Sequence, residues 1–529
     1  MIPVLTADEM RRADRVTIDE IGLPGVVLME NAGAAVAASI RERFPDARRI
    51  VVLCGRGNNG GDGFVVARRL RSSGAEALLL GRKGDVKGHA RIHLDACERS
   101  GGAVREVVDP AAWAAALERV RAADLLVDAL LGTGLRSAPT GLAADAVAEL
   151  GQRAKAGVPV VSVDIPSGVG ADGGALDAPA VPATLTVTFA AAKRGHVLPP
   201  ACECAGDLVI ADIGIPSETL AAVKPSLFLL EDADAAAAFP PRLPAAHKGD
   251  LGHLLVVAGS LGKTGAAILA AGGALRAGAG LVTVATPASC VPIVAGGRAE
   301  VMTEALPETP SRGVSGDAID RLLALAGERD AVVLGPGLGQ DPSTRALVLE
   351  LVRRCPVPLL IDADGLNALA AVSGGPWRDA VRERPAATLL TPHPGEMARL
   401  VGRGVPEIQR QRVEEALRLA EESGAVIVLK GQRTVVGEPG GRAAVSPTGN
   451  PGMASGGTGD VLSGVIGALL ARHDGWRAAT AGVYVHGRAG DLAAQACGEE
   501  GLAAGDLQEA LPRAIESVRP PAGGTSSRS

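Results

Sequence analysis

Short unbroken apolar runs, each closed by a glycine-rich polar stretch, recur along the whole 529-residue chain and limit its fold more than any other feature. In the first half they fall at 50–53, 77–80, 125–131 and 158–163. In the second half they fall at 254–258, 281–285, 331–334, 359–362, 388–391 and 426–429. A strand that is apolar on both faces has to be covered on both. Such strands alternating with helical segments therefore imply parallel sheets between helix layers. The length exceeds one ordinary domain. The expected class is α/β, with an N-terminal Rossmann-like three-layer domain followed by a second α/β domain. Thr6, with Glu9 three residues on, marks an N-capped helix to Glu20, and a further helix covers 26–43. TLTVTFAA and GDLVIADIGIP read as two edge strands closing the first unit, and the Pro- and Ala-rich stretch around 216–245 reads as a boundary. No internal repeat of solenoid length is visible.

Composition narrows the function classes. A net charge of −6 and 2 % aromatics give neither a basic face nor stacking platforms for nucleic acid. The seven cysteines are odd in number and scattered, which points to a reducing, cytoplasmic compartment. Cys202 and Cys204 form a lone C-x-C without a second Cys/His pair, so no metal is expected there. The N-terminus is charged within its first fifteen residues, and no run is long enough to span a membrane. Exposed edge strands favour association, so a homo-oligomer is expected. PPAGGTSSRS at the end reads as a disordered tail.

The first chemical signal is GRGNNGGDG. Gly55 to Gly60 satisfies G-x-G-x-x-G between a strand and a helix, where backbone N–H groups approach an anion. Asn58, Asn59 and Asp62 add two amides and a carboxylate that a plain turn does not need. A dehydrogenase would place an acid after the second strand. Leu80-Gly81-Arg82 stands there instead, which disfavours that reading, although Arg82 suits a 2′-phosphate. Two later strands end in Asp128 with Gly132-Thr133-Gly134, and in Asp164-Ile165-Pro166-Ser167. Ligands of open α/β sheets sit at such carboxyl ends.

GRGNNGGDG, VDALLGTG, SVDIPSG and ADIGIP closely resemble the NAD(P)H-hydrate epimerase domain over about residues 1–215. The resemblance implies that Asn58, Asn59, Gly60, Gly61 and Asp62, with Gly132, Thr133, Gly134, Leu135, Arg136, Ser137 and Ala138, bind the hydrated dinucleotide. It implies a potassium ion held by the oxygen donors of Asn59, Asp128 and Ser167, and substrate contact at Asp164, the candidate acid/base.

In the second half, GSLGKTG falls short of a P-loop, because the position that needs the first glycine is Val257. The stronger signal is Gly456-Gly457-Thr458-Gly459-Asp460 at the start of an apolar helix: N–H groups for phosphate beside a carboxylate placed as a base. This string resembles the ribokinase-like superfamily. GSLGKTGAA, LGPGLG, IDADGLNAL, LTPHPGEMARL and LKGQRTVV resemble its NAD(P)H-hydrate dehydratases over about 245–515. That resemblance implies substrate contacts at Ala266, Gly337, His393 and Asp460, and ADP contacts at Lys430, Gly431, Gln432, Arg433, Thr434 and Gly459. His393 taken alone reads as a helix-capping or packed histidine, and its setting in TPHPGE turns the reading to substrate.

Together the strings resemble the bifunctional NAD(P)H-hydrate repair family. The implied domains are an epimerase at 1–220, a linker at 221–244, a ribokinase-like ADP-dependent dehydratase at 245–515 and a tail at 516–529. The implied activity is exchange of the R and S hydrates and dehydration of the S form to NAD(P)H, with AMP and phosphate as products. Asp460 would deprotonate the ring hydroxyl, and the glycine N–H groups and Lys430 would hold the phosphates. Mg²⁺ is expected, with ligands the sequence does not identify. GGTGD also occurs in vitamin and sugar kinases. A kinase with a non-catalytic dinucleotide-binding first domain is therefore the alternative.

Overall fold

The computed structural model describes residues 1–134, 137–173, 179–372 and 376–519. They divide into two compact units, Ile2–Pro225 and the chain from Ser226 onward. Both are α/β.

The first unit is built on a seven-stranded sheet in the spatial order Val104–Val107, Ala75–Leu80, Ile50–Cys54, Leu125–Ala129, Val160–Val163, Leu185–Phe189, Asp207–Ala211. Every pairing is parallel. Alternate residues serve opposite faces, as the two-residue period of a strand requires. Ile50, Val52 and Cys54 enter one core with Phe64 and Leu94, whereas Val51 and Leu53 enter another with Trp113 and Leu150. The chain begins in the middle of the sheet, runs outward one way, then returns to run the other. Strand order therefore reverses between Ile50–Cys54 and Leu125–Ala129, and a crevice opens at their carboxyl ends.

Two local readings are corrected. Leu185–Phe189 is not an edge strand: it is buried throughout and paired on both sides, so only Asp207–Ala211 closes the sheet. The first helix has its capping box, with Thr6 Oγ1 accepting from Glu9 N–H and Glu9 Oε2 accepting from Thr6 N–H. It is α-helical only over Ala7–Arg15, and Val16–Glu20 widens to a π turn.

In the second unit the parallel order is Met302–Leu306, Leu281–Pro287, His253–Val257, Ala331–Leu334, Leu359–Ile361, Thr388–Leu390, Val426–Leu429. Val435–Gly437 and Ala443–Val445 then add antiparallel strands. The helix Thr458–Leu470 is buried along almost its whole length. It packs on Thr264–Arg276 through glycines, since a Cβ on Gly464 would lie 1.9 Å from the Ala270 carbonyl oxygen. The stretch expected as a linker, 221–244, is structured: Leu227–Leu229 pairs with Ala443–Val445, and Asp232–Ala236 is helical. Its apolar residues explain this, because Leu230, Ala235, Ala238 and Phe239 join the second core. The last helix, Ala504–Val518, runs past 515, so 516–518 do not belong to a tail, and 520–529 lie outside the described residues.

Candidate functional site

A cavity of about 960 Å³ lies at the switch point of the first sheet. The helix Asn58–Arg69 starts at its wall with Gly57 as N-cap and no side-chain cap, leaving first-turn N–H groups for a ligand. The loop's glycines are dictated by packing. A Cβ on Gly55 would sit 2.0 Å from the Leu130 carbonyl oxygen, and one on Gly60 would sit 1.9 Å from that of Gly55. Of the residues singled out in the sequence, Asn58, Asn59, Asp62, Gly132, Thr133, Gly134, Ser137 and Asp164 line the cavity. Gly60, Gly61 and Ala138 do not, and Leu135 and Arg136 lie outside the described residues.

Asp164 is held in a left-handed backbone conformation, φ 64°, directly after its strand. Its Oδ1 accepts from Lys193 Nζ at 2.7 Å and from Thr188 Oγ1 at 3.0 Å. Burial opposes its charge, but Lys193 outweighs burial and keeps the carboxyl below its ordinary range. Lys193, 1 % exposed, also donates to Thr188 Oγ1 at 2.8 Å and to the Phe189 carbonyl at 3.2 Å, so all three ammonium protons are engaged. Lys193 and Asp14 both line the cavity and were missed in the sequence. Asp14 offered a signal. It follows Met10 by four residues and Ala13 by one on the buried side of its helix, where a carboxylate is out of place.

Asp128 and Ser167 lie behind this wall, fully buried. The Asp128 carboxylate accepts from Ser162 Oγ, Ser167 N–H, Ser167 Oγ and Leu130 N–H at 2.6–3.3 Å. Asn59 reaches the same loop, its amide donating to the Leu131 carbonyl at 2.9 Å. Its Oδ1 is a buried acceptor without a partner among the described residues. A buried carboxylate with no basic side chain among its bonds, an orphaned amide oxygen, a hydroxyl and a carbonyl form an all-oxygen donor set. That is the chemistry an alkali cation requires, so the residues fit the potassium ion.

The second unit holds a cavity of about 430 Å³, walled by Lys263, Ala266, Gly337, Ala363, Asp364, Glu396, Gly456, Gly457 and Asp460 among others. Gly457, φ 94°, is the left-handed N-cap of Thr458–Leu470 and offers no side-chain cap. Burial and the nearby Asp362 raise the Asp460 carboxyl to about 6, against the opposing pull of Lys430. Lys430 Nζ donates to buried Asp362 at 2.6 Å and lies 3.8 Å from Glu396. Burial disfavours its charge, but these carboxylates prevail and raise it further. A Cβ on Gly459 would lie 3.5 Å from that ammonium, which places the loop after Val426–Leu429 beside the helix start. Asp362 also accepts from Ser463 Oγ at 2.6 Å, tying the strand end to the same helix. Asp362, Asp364 and Glu396 were not singled out in the sequence, although IDADG and HPGE carry them. His393 does not line the cavity; it caps Pro394–Val401, its Nδ1 accepting from Gly395 N–H at 3.0 Å, and its ring is half exposed. Among the described residues no cluster of three or more His, Cys, Asp or Glu side chains is arranged to hold a metal, and no helix is long and apolar enough to cross a membrane.

Comparison with known proteins covers both sites. Residues 25–195 match the family model described as YjeF-related protein N-terminus, and 254–513 match that described as NAD(P)H-hydrate dehydratase. The bifunctional NAD(P)H-hydrate repair enzyme of Moorella thermoacetica is 44 % identical over 97 % of both chains. That of Escherichia coli is 38 % identical over 96 % of this chain and 93 % of its own. An ADP/ATP-dependent NAD(P)H-hydrate dehydratase from Bacillus subtilis, co-crystallised with ATP and Mg²⁺, is 32 % identical; it covers 55 % of this chain and 99 % of its own, with a TM-score of 0.47.

Proposed function

Because the chain belongs to the bifunctional NAD(P)H-hydrate repair enzymes, we propose that its Rossmann-like first domain (1–220) exchanges the R and S hydrates of NADH and NADPH. Its ribokinase-like second domain, from Ser226 onward, dehydrates the S form at the expense of ADP. One observation carries the second half: a carboxyl raised to about 6 shares the mouth of a glycine-capped helix with a half-buried lysine bonded to Asp362.

Hydroxide is a poor leaving group, and phosphorylation improves it. Asp460 takes the proton of the ring hydroxyl, whose oxygen attacks the terminal phosphorus of ADP as AMP departs. Phosphate then leaves with its electron pair, a ring proton is lost, and the double bond of NAD(P)H returns. Lys430, Gly459 and the helix N–H groups stabilise the phosphate charge, and Gly431, Gln432, Arg433 and Thr434 extend this side towards ADP. Ala266 and Gly337 border the nicotinamide, and His393 meets it through the exposed edge of its ring. Mg²⁺ would neutralise phosphate charge, and it characteristically binds through substrate phosphates and water rather than a dedicated protein cage.

In the first domain Asn58, Asn59, Asp62, Gly132, Thr133, Gly134 and Ser137 support dinucleotide binding. Asp164, held ionised by Lys193, is the base for a water entering the ring carbon. Asn59, Asp128 and Ser167 would hold potassium, which would supply a fixed positive charge. The odd number and scatter of the seven cysteines favour the cytoplasm. The strands Val104–Val107 and Met302–Leu306, at the ends of their sheets, favour a homo-oligomer.

The test is incubation of the full chain with mixed hydrates of NADPH and ADP, following absorbance of the reduced nicotinamide. Complete recovery of NADPH from both epimers is expected. A stable phosphorylated product in the mass spectrum, with no NADPH, would establish a kinase instead.

A further inference from the structure

We propose that Asp62 is the proton donor of the epimerisation, and that Asp14 is a positioning residue that keeps Asp62 protonated. This rests on the reading of the first domain as an epimerase. Hydration of an enamine places the hydroxyl on the carbon bonded to nitrogen. That carbon can lose its oxygen, because the nitrogen lone pair forms the C=N bond as the C–O bond breaks. Inversion then requires two groups in opposite protonation states: an acid for the departing hydroxyl and a base for the entering water.

The cavity supplies both. Asp164 cannot be the acid, since Lys193 at 2.7 Å and Thr188 at 3.0 Å hold it as a carboxylate. Lys193 in turn has no proton left for another carboxyl. Asp62, 8 % exposed, and half-buried Asp14 line the same cavity, and neither accepts a hydrogen bond from protein among the described residues. The other basic groups on the wall are engaged elsewhere or open to water. Arg11 pairs with Asp8, Arg56 lies 3.8 Å from Asp85, and His89 is exposed. On the helices packed against Asn58–Arg69, Glu30 is bonded to Arg68 and Arg69 and lies 3.5 Å from His93. His196, whose Nδ1 accepts from Lys193 N–H, is pushed down to about 3 by burial and by Lys193 and stays neutral.

Three carboxyls thus face one committed ammonium. A buried carboxyl with neither donor nor cation keeps its proton. Burial, then the charges of Asp164 and Asp14, hold Asp62 well above the usual carboxylate range. Burial leads in raising Asp14 to about 6. The helix dipole favours ionisation at a helix start, but Asp62 is the fifth residue of its helix, where that effect has faded. Carboxyls pushed apart by their surroundings are how one site provides both an acid and a base.

In the step, the Asp62 proton passes to the ring hydroxyl, and the C–O electron pair leaves with oxygen as water. Water then adds from the opposite face and gives its proton to Asp164. The proton returns downhill from Asp164 to Asp62 through solvent in the cavity, so nothing is consumed.

The experiment compares Asp62→Asn, Asp62→Glu and Asp14→Asn in the full chain, measuring kcat and KM for epimer exchange, with dehydration of the S hydrate as the check on intact protein. Asp62→Asn is expected to lower kcat on the order of 10²–10⁴-fold with KM changed by less than about threefold. Asp62→Glu should restore much of the rate. Asp14→Asn should move the alkaline limb of the wild-type rate profile to lower pH. A raised KM with unchanged kcat in Asp62→Asn, or an unmoved limb in Asp14→Asn, overturns the assignment. If Asp62→Asn does not fold, a wild-type exchange rate with no alkaline limb overturns it equally. Absence of exchange in the wild-type chain rejects the epimerase reading itself.

Discussion

Both cavities use one device and turn it to opposite ends. Each sits at the carboxyl ends of parallel strands, beside a helix whose N-cap is a bare glycine. Each sets a lysine against a carboxylate that follows a strand, buried Lys193 on Asp164 at 2.7 Å and half-buried Lys430 on Asp362 at 2.6 Å. Each then leaves a second carboxyl nearby without a cation of its own. They differ in what surrounds that second carboxyl. Asp62 is crowded by Asp164 and Asp14, and Lys193 only partly offsets them, so it holds its proton. Asp460 stands in the first turn of its helix and feels Lys430, so it settles at about 6 and is ionised at neutral pH. The same lysine–carboxylate pair therefore sets up an acid in one domain and a base in the other. It does so through the charges placed around the pair, not through the pair itself.

The variant that separates the two sites most sharply is Asp460→Asn. It keeps shape and removes the base, so ADP-dependent dehydration should fall on the order of 10²–10⁴-fold, while exchange of the epimers continues at the wild-type rate. Near-normal dehydration in this variant would remove Asp460 from the chemistry and leave it as a partner of the helix dipole.

The comparison also shows what a sequence makes visible. Period-two burial and the glycine loops could be read directly, because apolar runs such as 50–53 and the GGTGD string are contiguous. The charges that decide protonation are not contiguous. Asp14 stands 150 residues before Asp164, and Asp362 precedes Lys430 by 68. Neither neighbourhood exists until the sheets close. Asp164 was visible at its strand end, but its fixed ionisation was not, because Lys193 lies in an unremarkable AAAKRG. The run at 185–189 misled for a similar reason. Edge and interior strands share a composition, and only the pairing of Asp207–Ala211 beyond it decides which it is.

A smaller effect sharpens the contrast through pH. The dehydratase base works as the carboxylate, so its kcat at saturating ADP should fall as pH drops through about 6. The loss should approach about tenfold for each pH unit below that. The acid of the epimerase works in its protonated form, so that activity should persist across the same range and fail only on the alkaline side. Parallel decline of both activities on acidification would mean that one titrating group, or unfolding, governs the whole chain.

The smallest predicted effect concerns how the two second carboxyls are anchored. Asp460 rides on a helix buried along nearly its whole length, whose position is fixed by the close approach of Gly464 to Ala270. Asp14 rides on Ala7–Arg15, a short helix with an exposed outer face, whose start is fixed by the Thr6–Glu9 capping box. Thr6→Ala removes one reciprocal bond and should lower the stability of the first domain by about 1 kcal/mol. Because the helix that frays at its start carries Asp14 in its last turn, the alkaline limb of epimer exchange should broaden or shift, while dehydration kinetics stay unchanged. Thermal unfolding followed by epimerase activity, beside the same measurement on the dehydratase, checks this. Equal loss from both activities would show that the cap supports the chain as a whole and not the wall of one cavity.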